Sequence, residues 1–271
     1  MSQTNISNAK KIAEAAVMLA VATVLSLIKI LDLPYGGSVT IACMLPVVII
    51  AYRHGVKLGL LTGLVFGIIQ QLLGLNTLSY VSTWQSVIAV IMLDYIVAFM
   101  VIGLGGVFRK LPSQANALLF GTIFVCILRY ACHVISGATV WAGLSIPTNA
   151  ALIYSFGYNA TYMIPETIVT AVLAYYVGSM IDFRNDQITS IKKSEKEKLP
   201  VLKWIGGLLL SAALVFDVRT VFAFLQNEET GEFDITGLAN VSWGVIIAVS
   251  AIAIVVAAIL FVVSSKKKEE Q

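Results

Sequence analysis

Charge is scarce in this chain. Asp, Glu, Lys and Arg make up 12% of its 271 residues, about half the share of a soluble domain. A water-soluble fold of this length needs a charged surface, so that class is excluded. Histidine occurs twice and cysteine three times. Cys43, Cys126 and Cys132 all lie in apolar runs and form no C-x-x-C pair, so neither a zinc site nor a disulfide framework is expected. There is no G-x-x-x-x-G-K-[ST], no H-E-x-x-H and no G-x-S-x-G; nucleotide hydrolysis, zinc proteolysis and serine hydrolysis have no support. No enzyme, no cofactor, no metal and no nucleic-acid partner is expected. The polar start MSQTNISNAKK leads into an apolar run too long for a signal-peptide core. No duplicated half with paired broken helices is visible, as a self-sufficient secondary transporter often shows.

What is abundant is apolar surface. Hydrophobic residues reach 58% and the mean hydropathy is +0.89. At about 20 residues per span this fills roughly eight transmembrane helices. The apolar segments run at 12–31, 39–52, 56–74, 85–107, 115–137, 159–182, 201–225 and 239–263. They are continuous rather than alternating, which predicts helices and not a barrel. Pro46 and Pro165 predict kinks in the second and sixth. Every second loop is basic: Lys10 and Lys11; Arg53, His54 and Lys57; Arg109 and Lys110; Arg184 to Lys198; Lys266 to Lys268. The intervening loops are uncharged or acidic, as at Glu228, Glu229, Glu232 and Asp234. The positive-inside rule then places both termini in the cytoplasm. The stretch 184–200, RNDQITSIKKSEKEKLP, is the one clear composition shift. The expected organisation is all-α and embedded in the lipid bilayer: a six-helix membrane domain over 1–183, a charged cytoplasmic linker over 184–200, and a two-helix transmembrane appendage over 201–271 with no assigned role.

A charged side chain at mid-depth in a bilayer costs about 2.5–3.5 kcal/mol on insertion scales, so each one is a candidate functional group. Asp94 and Tyr95 fall midway along the fourth segment. Arg129, Tyr130 and His133 fall in the outer half of the fifth; Arg129 and His133, four apart, share a face. Trp141 and Tyr154 lie in the uncharged outer loop, Asn159 opens the sixth segment, and Glu166 lies two turns in. Gln70 and Gln71 sit late in the third. All belong to the outer half of the membrane. Structural readings stay open for each. Asp94 and Arg129 would neutralise each other as a plain ion pair, His133 would serve as a packed hydrogen-bonding residue, and Trp141 and Tyr154 would be interface-belt aromatics. Glu166 reads equally as pocket or interface. Together, a carboxylate among aromatic faces suits an organic cation, and amide, imidazole and phenol groups suit a heteroaromatic ring with hydrogen-bonding edges. Asp217 and Arg219, in the seventh segment, pair with each other or face the headgroups.

Small residues form two stripes. Gly59, Gly63 and Gly67 recur every four residues, a surface for close helix packing. Ala16 and Ala20 share a face of the first helix, with Ala9 and Ala13 on a neighbouring one. That face serves either internal packing or docking of a partner in the membrane.

Six fragments carry a resemblance: P-Y-G-G-S-V (34–39), I-A-C-M-L-P (41–46), the R-x-G-x-x-x-G-L-x-x-G-L-x-x-G pattern (53–67), L-D-Y-I-V-A-F (93–99), R-Y-x-x-H-x-x-x-G (129–137) and Y-S-x-x-Y-N (154–159). In this order they resemble the thiamine-specific substrate-binding (S) component of energy-coupling factor transporters, the ThiT/YuaJ family, over about 1–183. The resemblance implies a six-helix bundle that binds thiamine near the outer surface under the first loop. It also implies work with a transmembrane coupling protein and two ATPase subunits, with toppling in the membrane to deliver the substrate. By the same resemblance, Asp94 with Tyr95 meets the cation. Arg129, Tyr130, His133, Trp141, Tyr154 and Asn159 line the substrate, Trp141 by stacking. Ala16 and Ala20 dock the coupling protein. Some relatives carry Glu and Lys where Asp94 and Arg129 stand, and a tryptophan at the place of Gly37. The first two changes keep charge but alter reach and hydrogen-bond geometry.

Overall fold

The computed structural model describes residues 7–33, 36–81, 83–139, 148–191, 201–225 and 235–269. They fall into two compact units, Met1–Ile191 and Lys192–Gln271.

The first unit opens with α1 (Asn8–Leu27), capped by Ser7, whose hydroxyl accepts from Lys10 N at 3.3 Å. The helix was expected to run to 31. It stops four residues earlier because the chain turns into a hairpin, β1 (Lys29–Asp32) with β2 (Ser38–Thr40), antiparallel with Leu31 opposite Val39. Both of those side chains are buried, and the period-two alternation sets them on one face. Residues 39 and 40, assigned above to the second helix, belong to β2. That helix, α2 (Leu45–His54), carries Pro46 in its first turn and is not kinked by it; a proline there gives up an N–H that has no partner anyway. Gly55, at φ 97°, makes the turn into α3 (Val56–Leu73), a conformation that suits a residue without Cβ.

Helix α4 (Trp84–Lys110) is one long apolar rod. Thr83 caps it, accepting from Ser86 N at 3.2 Å. Its second stretch, Ile91–Val97, is π-helical, and its last, Val101–Lys110, is 3-10. α5 (Gln114–Thr139) and α6 (Thr148–Met180) follow, with Pro165 inside α6. α6 begins eleven residues before the expected start at 159. Its first turns carry Tyr154, Ser155, Tyr158 and Asn159, whose polarity reads as loop but is used for interior hydrogen bonds (below). A short hairpin, β3 (Ile181–Asp182) with β4 (Thr189–Ser190), closes the unit. At its tip burial pushes the Asp182 carboxyl up, and the hydrogen bonds from Arg184 more than reverse this, holding it below the usual range.

The glycine stripe of α3 is internal. A Cβ on Gly63 would lie 2.5 Å from Phe99 O, and one on Gly59 would lie 2.5 Å from Ala51 Cβ and 2.9 Å from Gly103 O. α3 and α4 therefore approach as backbones, which only small residues permit. At the basic end, buried Arg53 ties three parts of the chain. Its Nε and Nη2 donate to Glu14 at 2.6 and 2.9 Å, and its Nη atoms also donate to the carbonyls of Phe183, Asn185 and Asp186 at 2.8, 2.5 and 2.8 Å. Lys10 Nζ pairs with Asp186 at 2.7 Å.

The second unit is a helix pair, α7 (Val201–Leu225) and α8 (Trp243–Glu269), with a 3-10 turn at Ile235–Asn240. Gly206 admits the Phe261 ring, and Asp217 accepts from the Ser250 hydroxyl. Asp217 is thus bonded across the pair through one oxygen, while its Oδ1 has no partner among the described residues.

Among the described residues six helices are long and apolar enough to cross a membrane: α3, α4, α5, α6, α7 and α8. The other two of the eight expected segments differ. α1 has the length, but Lys10, Lys11 and Glu14 occupy its first two turns, and the ten residues of α2 reach only about 15 Å.

Candidate functional site

The costly residues of α4 and α5 meet. Asp94 lies ten residues into α4, about 15 Å along its axis, in the π-helical stretch, a feature frequent at functional sites. His133 Nδ1 lies 2.8 Å from one of its carboxylate oxygens, and the Ser136 hydroxyl donates to the other at 2.5 Å. One turn along α5, Arg129 Nη2 lies 3.4 Å from His133 Nε2. An imidazole carrying its proton on Nδ1 satisfies both contacts at once, donating to Asp94 and accepting from Arg129. The direct Asp94–Arg129 pair left open above is not formed; His133 stands between them.

Arg129 itself is 8% exposed. Its Nη1 donates to the Met44 sulfur at 2.9 Å, and its guanidinium lies 4.3 Å from the centre of the Phe99 ring, an attractive cation–π placement. Among the described residues its Nε has no acceptor, and it forms no ion pair.

α6 supplies the opposite wall. Tyr154, Tyr158 and Tyr162 recur every four residues and form a ladder: the first two rings stack at 5.9 Å, the second and third meet edge-on at 5.8 Å. Tyr162 also lies edge-on to His133, 6.0 Å between ring centres. Asn159, buried between rungs, accepts from Tyr162 OH at 2.6 Å and donates to Ser155 O and His133 O at 2.8 and 3.3 Å. It locks α5 to α6 behind the ladder. The hairpin between β1 and β2 rests on the same rings: Gly37 N donates to Tyr158 OH at 3.2 Å, and a Cβ there would lie 2.7 Å from Tyr162. A large side chain has no room there. Tyr95 faces the 3-10 turn Leu75–Tyr80 that precedes α4, donating to Thr77 Oγ1 at 3.0 Å.

Other expected residues lie elsewhere. Tyr130, one position round α5 from Arg129, donates to Phe156 O at 2.8 Å and packs edge-on against that ring; it braces the α5–α6 contact on the outer side of the pair and does not touch the Asp94–His133 centre. Gln70 donates to Ser26 at 2.9 Å, joining α3 to α1. Glu166 is buried against β2, not at a membrane interface. Ala16 and Ala20 are exposed on α1. Trp141 lies outside the described residues. Tyr158, Tyr162 and Ser136 were not singled out above, yet the signal was present: Y-x-x-x-Y-x-x-x-Y at 154–162, and Ser136 three residues past His133. Among the described residues no cluster of His, Cys, Asp and Glu could hold a metal ion.

The profile of the family described as Thiamine transporter protein (Thia_YuaJ) matches residues 12–185. The thiamine transporter ThiT of Bacillus subtilis (strain 168) is 36% identical over 175 residues, 60% of this chain and 87% of that one. A solved structure of ThiT from Listeria monocytogenes superposes with a TM-score of 0.51 at 23% identity, over 62% of this chain and 92% of that one, a likeness of fold. With the match running over residues 12–185, most of the first unit and both walls of the site, the chain belongs to the Thia_YuaJ thiamine transporter family, multi-pass bacterial membrane proteins whose work is transport and not catalysis.

Proposed function

We propose that this chain is the high-affinity thiamine-binding S component of an ATP-driven energy-coupling factor importer. The observation that carries the reading is the Asp94 carboxylate, held by His133 and Ser136 beside a tyrosine ladder. A fixed carboxylate answers the permanent positive charge of thiamine, and aromatic faces add cation–π attraction and stacking. Asp94 meets the cation. The ladder, with Trp141, flanks the rings. His133, Asn159 and Arg129 read their hydrogen-bonding edges. Tyr95 and Tyr130 hold the walls, one on each side. The chain binds and carries; a coupling protein docked on the Ala16–Ala20 face and two ATPase subunits supply the energy. Both termini are cytoplasmic, so the basic Arg53 end faces the ATPases.

The test is calorimetric titration of the purified chain with thiamine, riboflavin and biotin. Thiamine binds in the nanomolar range and the controls do not. Asp94→Asn keeps the fold and weakens thiamine by roughly 10- to 100-fold, the worth of a hydrogen-bonded charge. Tighter binding of hydroxymethylpyrimidine than of thiamine would move the substrate to a thiamine precursor. A second reading rests on the Asp94–His133–Arg129 chain, which is also what a proton relay needs: a stand-alone proton-coupled transporter. Uptake that persists without the coupling protein and ATPases, and collapses with the proton gradient, decides for it.

A further inference from the structure

Among the described residues of the first unit, Glu166 is the one buried carboxylate that the proposed function leaves idle. It is 2% exposed. Both oxygens are taken by a single residue: Thr40 N donates to Oε2 at 2.6 Å and Thr40 Oγ1 donates to Oε1 at 2.8 Å. The Cys43 thiol adds a weak contact at 3.9 Å. Thr40 is the last residue of β2, and two residues on Ala42 has φ 54°, a left-handed conformation that a side chain adopts only when its surroundings impose it. The grip therefore falls at the bend where the hairpin leaves for α2.

The same stripe of α6 that carries Glu166 carries the tyrosine ladder. Positions 158, 162 and 166 follow one another at four-residue steps, each turned about 40° from the last. The hairpin lies along it. Its base is held at Thr40 by Glu166 through two short bonds to a carboxylate, roughly twice as strong as neutral ones. Its tip is held by Gly37 on Tyr158 and Tyr162, through one 3.2 Å bond and close contact. Three residues separate Thr40 from Gly37, about 10 Å of strand. The base of the hairpin is thus held by a group that makes no hydrogen bond to Asp94, His133 or Arg129.

We propose that Glu166 is a positioning residue: it fixes the β1–β2 hairpin at its base and thereby holds the Gly36–Gly37 tip over the tyrosine ladder, keeping bound ligand from escaping. This rests on the thiamine reading only for the identity of the ligand. Two readouts separate the anchor from the substrate. The first needs no ligand: hydrogen–deuterium exchange of a peptide spanning 29–40 in Glu166→Ala, against the unmutated chain in nanodiscs. Exchange there speeds at least tenfold while peptides of α3 and α4 are unchanged. Glu166→Gln restores it, because the amide can accept from Thr40 N and donate to a rotated Thr40 hydroxyl; Thr40→Ser also stays at the unmutated rate, and Thr40→Val is intermediate. The second is thiamine release by stopped flow, which quickens about tenfold in Glu166→Ala and returns with Gln, association changing less. Unchanged exchange at 29–40, faster exchange with unchanged release, or failure of Gln to rescue a folded chain each overturns the proposal. Absence of thiamine binding by the unmutated chain overturns the transport reading instead, and the exchange comparison still decides the anchor.

Discussion

Among the described residues of the first unit two arginines lie buried, and they are opposites. Arg53 is 7% exposed and Arg129 is 8% exposed. Arg53 spends its donors on Glu14 and three backbone carbonyls. Arg129 has a sulfur, an imidazole nitrogen and the face of a phenyl ring. A guanidinium carries five N–H donors in a planar fork. A saturated fork is a rivet; a fork with donors to spare is a recognition group. Burial alone does not tell the two apart, since both read as equally costly charges. The partner inventory does.

The contrast breaks if the two residues respond alike to the same change. Arg53→Met strands Glu14 and three carbonyls and is expected to cost about 3 kcal/mol or more of stability, seen as a lowered melting temperature in detergent. Arg129→Met keeps the bulk, breaks no hydrogen bond to a carboxylate, and lowers stability by less than Arg53→Met does; its thiamine affinity falls at least roughly tenfold, about 1.4 kcal/mol. Equal melting points for the two variants would refute the distinction. Gly37→Ala sharpens it from the other wall. Its methyl meets Tyr162 at 2.7 Å and Tyr158 OH at 3.0 Å, and the overpacking weakens thiamine by roughly tenfold without lowering the melting point as far as Arg53→Met does. The smallest effect belongs to Lys10→Ala. That ion pair with Asp186 is 38% and 48% exposed, and its loss changes stability by less than about 1 kcal/mol.

The helices of the first unit, and Asp94, Arg129 and His133 as costly groups within them, were legible because their signals are local. A run of apolar residues announces a helix, and one charge inside it announces a cost. The hairpin was not legible. Lys29–Asp32 and Ser38–Thr40 extend apolar runs on either side, and only the pairing of Leu31 with Val39 across the turn sets them apart. The start of α6 was hidden for the opposite reason: Tyr154, Ser155 and Asn159 are polar, and their partners lie on α5, at His133 and Val134, a long-range fact. Arg53 was read only as one more positive loop charge. Its burial depends on Glu14 and on a chain turn 130 residues away at Phe183. The position of Pro46 was clear, but whether a proline kinks a helix or starts one depends on where the first turn falls.

The wide turn in α4 has a geometric consequence. In a regular α-helix, residues five apart point about 140° away from each other. Across a π-helical turn, wider because its hydrogen bonds close over five residues, that divergence shrinks. Asp94 and Phe99 are five apart, and Ile91–Val97 is π-helical. One side of α4 thereby presents a carboxylate to His133 and an aromatic face to Arg129, residues four apart on α5. The two helices count in different steps and still meet twice. Shortening this stretch by a single residue would restore the ordinary count and swing one of the two contacts out of reach, though every side chain named in the site would remain in the chain.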